Sequence, residues 1–223
     1  MMISNMVTRV LRIKVKDELG TAFSLDYNDK QYIITAKHLF KKVAYPYKYQ
    51  VEFMENNAWL QADAKIFYHG SDVDIAVLYL HNNEINTEKY EINFSDEMFF
   101  GMDLFFLGFP FGYAMEFPNS ISKRPIPLIK KGLYSRNIIE NGVQVFLLDG
   151  HNNFGFSGGP VYYVNMKSSS HTTYIAGVVS GYRYTLSELF DFNGNELPYF
   201  IKENSGIIRF YPIKYVREII ESL

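Results

Sequence analysis

Apolar and polar positions alternate in short runs along most of the chain, and Asn, Asp and Gly interrupt the runs. This is the period of strands rather than helices. Residues 7–15 read as a first strand. Residues 21–25 and 31–35 flank Asn28-Asp29, and residues 49–53 and 59–66 flank Asn56-Asn57. Both pairs are hairpin signals, because Asn and Asp tolerate the left-handed backbone of tight turns. With residues 75–80 this predicts a first barrel of about six strands, and the polar stretch 81–90 connects it to the rest. Residues 103–108, 132–135, 143–148, 161–164, 174–180 and 206–210 predict a second set of about six. Residues 211–223 break the pattern. Pro212 stands in a first turn, and Ile213, Val216, Ile219 and Ile220 recur at helical spacing.

The predicted fold is therefore all-β: two six-stranded antiparallel barrels and a short C-terminal helix in one domain, 1–223. The N-terminal barrel takes 1–90, the C-terminal barrel 91–210 and the helix 211–223. A length of 223 residues suits that size, and 48% hydrophobic residues with 18 Tyr and 19 Phe suit strands. The formal charge of −2 points to no nucleic-acid partner. Cysteine is absent, which excludes disulfides and a thiol nucleophile. The N-terminus lacks a continuous apolar stretch with a small-residue cleavage site, and no run approaches the ~18 apolar residues of a membrane span. The expectation is a cytoplasmic protein without a membrane partner, or an exported one if the chain is a mature form.

Chemistry concentrates in three places. Residues 155–160 read Gly-Phe-Ser-Gly-Gly-Pro, setting Ser157 among glycines that permit a sharp turn and paired N–H groups. His38 ends Tyr-Ile-Ile-Thr-Ala-Lys-His, where a β-branched run gives way to a turn. Asp74 opens Asp-Ile-Ala-Val-Leu at the mouth of another apolar strand. A serine needs a base to take its proton, and the base needs a carboxylate to fix its tautomer. Asp72 is a rival carboxylate two residues away, on the same side if that stretch is extended. His69, His81 and His171 show no metal-ligand spacing, and nothing calls for a metal or cofactor.

In the order His, Asp, Ser these motifs resemble the trypsin-like serine proteases, and most closely the protease domain of the HtrA/DegP branch. Gly20-Thr-Ala-Phe23, Phe106-Leu-Gly-Phe-Pro-Phe-Gly112 and Ile175-Ala-Gly-Val-Val-Ser180 match weaker segments of the same pattern. The resemblance implies a serine endopeptidase acting on polypeptides through an acyl-enzyme. Ser157 would be the nucleophile, His38 the base and Asp74 the orienting carboxylate, with the N–H groups of Gly155 and Ser157 as the oxyanion hole. It also implies a substrate pocket with His151 at its base, one wall from Asn152, Asn153 and Phe154, and another from Ser180, Gly181 and Tyr182. No carboxylate lies at that base, so an uncharged side chain is expected before the scissile bond; a protonated His151 would instead favour an acidic one.

Three departures matter. Phe156 replaces the aspartate that in trypsin-type relatives pairs with a newly cut N-terminus. No PDZ sequence follows the helix. Segment 183–205 is longer and more aromatic than the pattern. These put control of the site in segments 150–156 and 183–205, exchanging between a collapsed and a competent form. A regulatory protein or a neighbouring subunit would hold the latter through Tyr184, Phe190, Phe192, Tyr199 and Phe200. The alternative function is a catalytically silent pseudo-enzyme that captures an extended peptide in the same cleft.

Overall fold

The computed structural model describes residues 2–41, 48–80, 85, 93–95, 97–113, 124–165 and 172–223. Helix α1 (Met2–Arg9) precedes β1 (Val10–Val15), β2 (Glu18–Tyr27), β3 (Lys30–Thr35), β4 (Tyr49–Glu55), β5 (Ala58–Tyr68) and β6 (Ala76–Leu80). These six strands close into a barrel in the order β1-β2-β3-β6-β5-β4. Asn28 and Asp29, and Asn56 and Asn57, all adopt positive φ, as two-residue hairpin turns require. The expected 81–90 connector lies, Ile85 apart, outside the described residues, as do His81 and His171.

The second half comprises β7 (Asn93–Phe94), β8 (Asp103–Gly108), β9 (Leu128–Glu140), β10 (Val143–Asp149), β11 (Pro160–Asn165), β12 (Thr172–Phe190) and β13 (Glu196–Pro212), followed by α2 (Lys214–Glu221). Six of these run β11-β8-β9-β10-β13-β12, and pairing of β11 with β12 joins the ends. The short β7 adds a parallel pairing on β12.

Three apolar clusters explain why so many strands lack clean alternation. One fills the first barrel, with Ile33, Val51 and Leu78 among its residues. Another fills the second, around Phe106, Phe146, Phe156 and Phe210. The third is the seam between them, where Phe23, Ile34 and Val77 meet Leu107, Tyr162 and Val178. Ile33 therefore points into its own barrel while its neighbour Ile34 points at the other one. Strands buried on both faces read as near-continuous apolar runs. Helix α2 buries Tyr215, Val216, Ile219 and Ile220 against the same seam. Its Glu221 accepts from Tyr27 of the first barrel at 2.6 Å.

Two expected boundaries move. Residues 7–9 belong to α1 rather than to a strand. Met6 and Val10, four apart, both bury in the seam, so helical and strand periods coincide over this stretch. Arg9 is 1% exposed and lies 2.8 Å from Asp26 of β2, which holds the helix to the barrel. At the other end, Tyr211 and Pro212 continue β13 opposite Val178 and Gly177, and α2 starts only at Lys214.

Tyr162 sits in the seam, stacked on Phe105 at 5.4 Å, and its buried hydroxyl has no partner among the described residues. Burial pushes its ionisation up to about 12. Below the ordinary tyrosine value both the folded and unfolded chains keep this proton. Between pH 10 and 12 only the unfolded chain releases it, so stability falls over that window, by about 2 kcal/mol from this group. Tyr162→Phe removes an unsatisfied polar atom and should leave the melting temperature at pH 7 unchanged or higher. It should also flatten part of the alkaline loss. Thermal melts at pH 7 and near pH 11 check both, and a destabilised variant at pH 7 would contradict the reading.

Candidate active site

After β3 the chain enters a short 3-10 turn, Lys37–Phe40, whose Leu39 and Phe40 bury inside the first barrel. His38 is left half-buried at the seam. Asp74 lies between the buried residues Val73 and Ile75, just ahead of β6. Its Oδ1 accepts the His38 backbone N–H at 2.8 Å, and its Oδ2 faces His38 Nδ1 at 2.7 Å. A carboxylate that accepts from Nδ1–H holds the proton on that nitrogen and leaves Nε2 as the basic one. Ser180 of β12 donates its hydroxyl to the same Oδ2 at 2.6 Å. Asp74 thus ties β12 of the second barrel to His38 of the first. Asp72, the rival, does not touch His38; its carbonyl accepts from Tyr211 at 3.4 Å.

Segment 151–157 is held by its carbonyls. That of His151 accepts from Lys130 Nζ and that of Asn152 from Asn204 Nδ2. The Asn153 carbonyl accepts from Phe156 N at 3.4 Å and the Phe154 carbonyl from Phe111 N at 3.1 Å. The Gly155 carbonyl accepts from Thr21 Oγ1 at 2.6 Å. Phe156 and Ser157 carbonyls accept from Gly159 N and Thr21 N, each at 2.9 Å. In a planar trans peptide a fixed C=O aims the following N–H the opposite way. The bond at the Phe154 carbonyl therefore orients Gly155 N–H, and that at Phe156 orients Ser157 N–H. Neither N–H meets an acceptor among the described residues. Gly155 has φ +108°, and a Cβ there would lie 2.3 Å from the Phe109 carbonyl, so only glycine fits.

Ser157 is half-buried, and its hydroxyl donates to the Ser180 carbonyl at 3.1 Å rather than to His38. Phe156 is fully buried, edge-on to Phe106 at 4.9 Å, with the Lys130 ammonium 5.9 Å from each ring. Burial moves Lys130 below lysine's ordinary ionisation value. An aromatic ring and one ammonium thus stand immediately before Ser157.

The predicted pocket residues divide. Ser180, Gly181 and Tyr182 line a cleft of about 1080 Å³ together with His38, Asp74, Lys37, Lys41 and Arg209. His151, Asn152, Asn153 and Phe154 do not line it. His151 is exposed; Asn152 is buried, and its side chain accepts Asn153 N–H at 2.9 Å. Phe154 is exposed and meets Tyr182 edge-on at 6.1 Å. Among the described residues no group of acidic residues and histidines is arranged to hold a metal ion. His69 instead pairs with Glu218 of α2 at 2.9 Å. No described helix is long and apolar enough to cross a membrane.

Sequence reasoning gave Thr21 no role. It is fully buried in β2, and its hydroxyl also accepts Phe109 N–H at 3.1 Å. One residue of the first barrel thereby bonds to Gly155, Ser157 and Phe109 of the second half. Its only signal was a polar residue in a run of apolar ones. The same holds for the link from Ser180 to Asp74, since the sequence placed Ser180 only as a pocket wall.

No family model matches the chain, and no curated protein matches it. Solved structures do. An inactive serine-to-alanine mutant of Rv3671c from M. tuberculosis H37Rv aligns over 99% of this chain and 88% of its own, at 14% identity and TM-score 0.60. The HtrA-type protease AlgW with a tripeptide aligns over 99% of this chain at 17% identity and TM-score 0.63. The chain spans 61% of AlgW's length. The fold is accordingly the trypsin-like double barrel, as in these structures.

Thr21→Val keeps the volume and removes both hydroxyl bonds. It should slow acylation of Ser157 by a fluorophosphonate by at least about tenfold, while Thr21→Ser should restore most of the rate. Labelling time courses on folded variants measure this. Equal rates for the Val and wild-type proteins would show that the hydroxyl does not position Gly155.

Proposed function

We propose that this trypsin-like fold is an active serine endopeptidase. The observation that carries the reading is the conjunction of a two-point Asp74–His38 contact with two unsatisfied N–H groups aimed by bonded carbonyls beside Ser157. Rotation of the Ser157 hydroxyl from the Ser180 carbonyl to His38 Nε2 delivers its proton to the base as the oxygen attacks a peptide carbonyl. Asp74 stabilises the imidazolium. Gly155 and Ser157 N–H groups receive the oxyanion, an effect worth roughly 3 kcal/mol per donor. His38 then protonates the leaving amine, and a water activated by the same histidine hydrolyses the acyl-enzyme. The substrate in this reading is a polypeptide lying along Ser180 to Tyr182; a polypeptide substrate is consistent with the tripeptide present in the AlgW structure.

A second reading has one observation in its favour. Ser157 is bonded to Ser180, not to His38, as a silent peptide-binding cleft would also show. Fluorophosphonate labelling with hydrolysis of an unstructured protein separates the two. The wild type should label and cleave, Ser157→Ala should do neither while folding normally, and His38→Ala should lose roughly 10³-fold or more in rate. A well-folded wild type that neither labels nor cleaves would establish the silent cleft.

A further inference from the structure

The outer parts of β12 and β13 leave the barrel as an arm. From Tyr184 opposite Asn204 to Phe190 opposite Glu196, each strand pairs only with the other. Cross-strand partners share a face, which here sets Tyr184, Leu186 and Glu188 beside Asn204, Lys202 and Phe200. The Lys202 ammonium lies 4.6 Å over the Tyr184 ring, as this placement requires. Phe190 follows at the next alternate position of β12. Tyr184, Leu186, Phe190 and Phe200 are 54%, 58%, 58% and 60% exposed. An apolar row of this kind on a free ribbon lacks the cover that such surfaces find in a stable assembly.

Charge along the arm is graded. Lys202, toward the barrel, has no carboxylate partner among the described residues, whereas Arg183 is spent on Glu140. Toward the tip, Glu188 and Glu196 have no cationic partner among them. Asp191 is turned inward on Asn193 and Asn195, whose bonds hold its carboxyl below the ordinary range.

We propose that the occupant of this face is the same arm of a second copy, laid face to face and antiparallel about a two-fold axis. Only that arrangement brings each Lys202 over the acidic end of its mate and each Tyr184 toward the mate's Phe190. A surface graded from basic to acidic is complementary to itself when reversed, the condition for an isologous contact. At roughly 200 Å² per large side chain, the four apolar residues offer on the order of 450 Å² per copy. With the polar residues between them, two copies reach the ~1,200 Å² at which specific interfaces begin. The inference is independent of catalysis, since it concerns a surface beyond Ser180 to Tyr182.

Sedimentation velocity from about 1 to 100 µM tests it, a range that brackets micromolar affinity. The wild type should be dimeric at the upper end and should dissociate as salt is raised. Tyr184→Ser with Phe200→Ser should weaken the dimer about 100-fold without lowering the melting temperature. Lys202→Glu should weaken it about tenfold, and adding Glu188→Lys should recover most of that loss. A wild type monomeric throughout overturns the proposal. So does a dimer indifferent to the Tyr184 and Phe200 substitutions, which would sit on another face.

Discussion

Everything chemical in this chain depends on how firmly two barrels are pressed together. His38 and Asp74 come from the first and Ser157 from the second, with no covalent link nearer than the backbone. Their spacing is fixed by the apolar seam in which Phe23, Ile34 and Val77 meet Leu107, Tyr162 and Val178. Such packing is dense and resists small displacements. It is non-directional, however, and sets only a distance of approach. Orientation comes from the few polar groups that cross it.

Those crossings are of two kinds. Ser180 reaches the Asp74 carboxylate, so the residue that orients the imidazole also grips the opposing barrel. Thr21 reaches the other way, using its backbone N–H on Ser157 and its hydroxyl on Gly155. Buried hydroxyls and amides in an apolar seam are costly unless bonded, and bonding only succeeds at one register of the two barrels. The polar crossings thus select a single docking from the many that hydrophobic contact would tolerate.

Much of this was legible in the residues, for local reasons. The Asn28-Asp29 and Asn56-Asn57 turns and the motifs around His38, Asp74 and Ser157 need only neighbours in sequence. The start of the chain was misread because Met6 and Val10 obey a helical spacing while Leu11, Ile13 and Val15 obey a strand one. Segment 183–205 was read only as longer and more aromatic than the pattern, because its exposed aromatics give no burial pattern, yet it pairs with itself as a ribbon, with register shifts after Tyr182 and Glu188. The bonds that aim Gly155 and Ser157 could not be read at all. They use backbone carbonyls, which every residue has, and one donor, Phe111, lies more than forty residues away in the chain. The bond from Asn153 N–H to the Asn152 side chain was equally illegible, since it too uses a backbone group.

Helix α2 closes against the first barrel, although it follows the last strand of the second. Tyr27 bonds to Glu221, 194 positions later, and His69 to Glu218, 149 later. Contacts so distant in sequence form late, because a long stretch of chain must be ordered before they are rewarded. A nascent chain that has made only the first six strands would hold a barrel with its own interior filled but its outer apolar face uncovered. The first barrel can therefore gain its hydrogen bonds and its interior early, but the cover of its outer face only once the second barrel and α2 exist. Formation of the seam is in this sense a later event, which brings Ser157 to the His38–Asp74 pair already made.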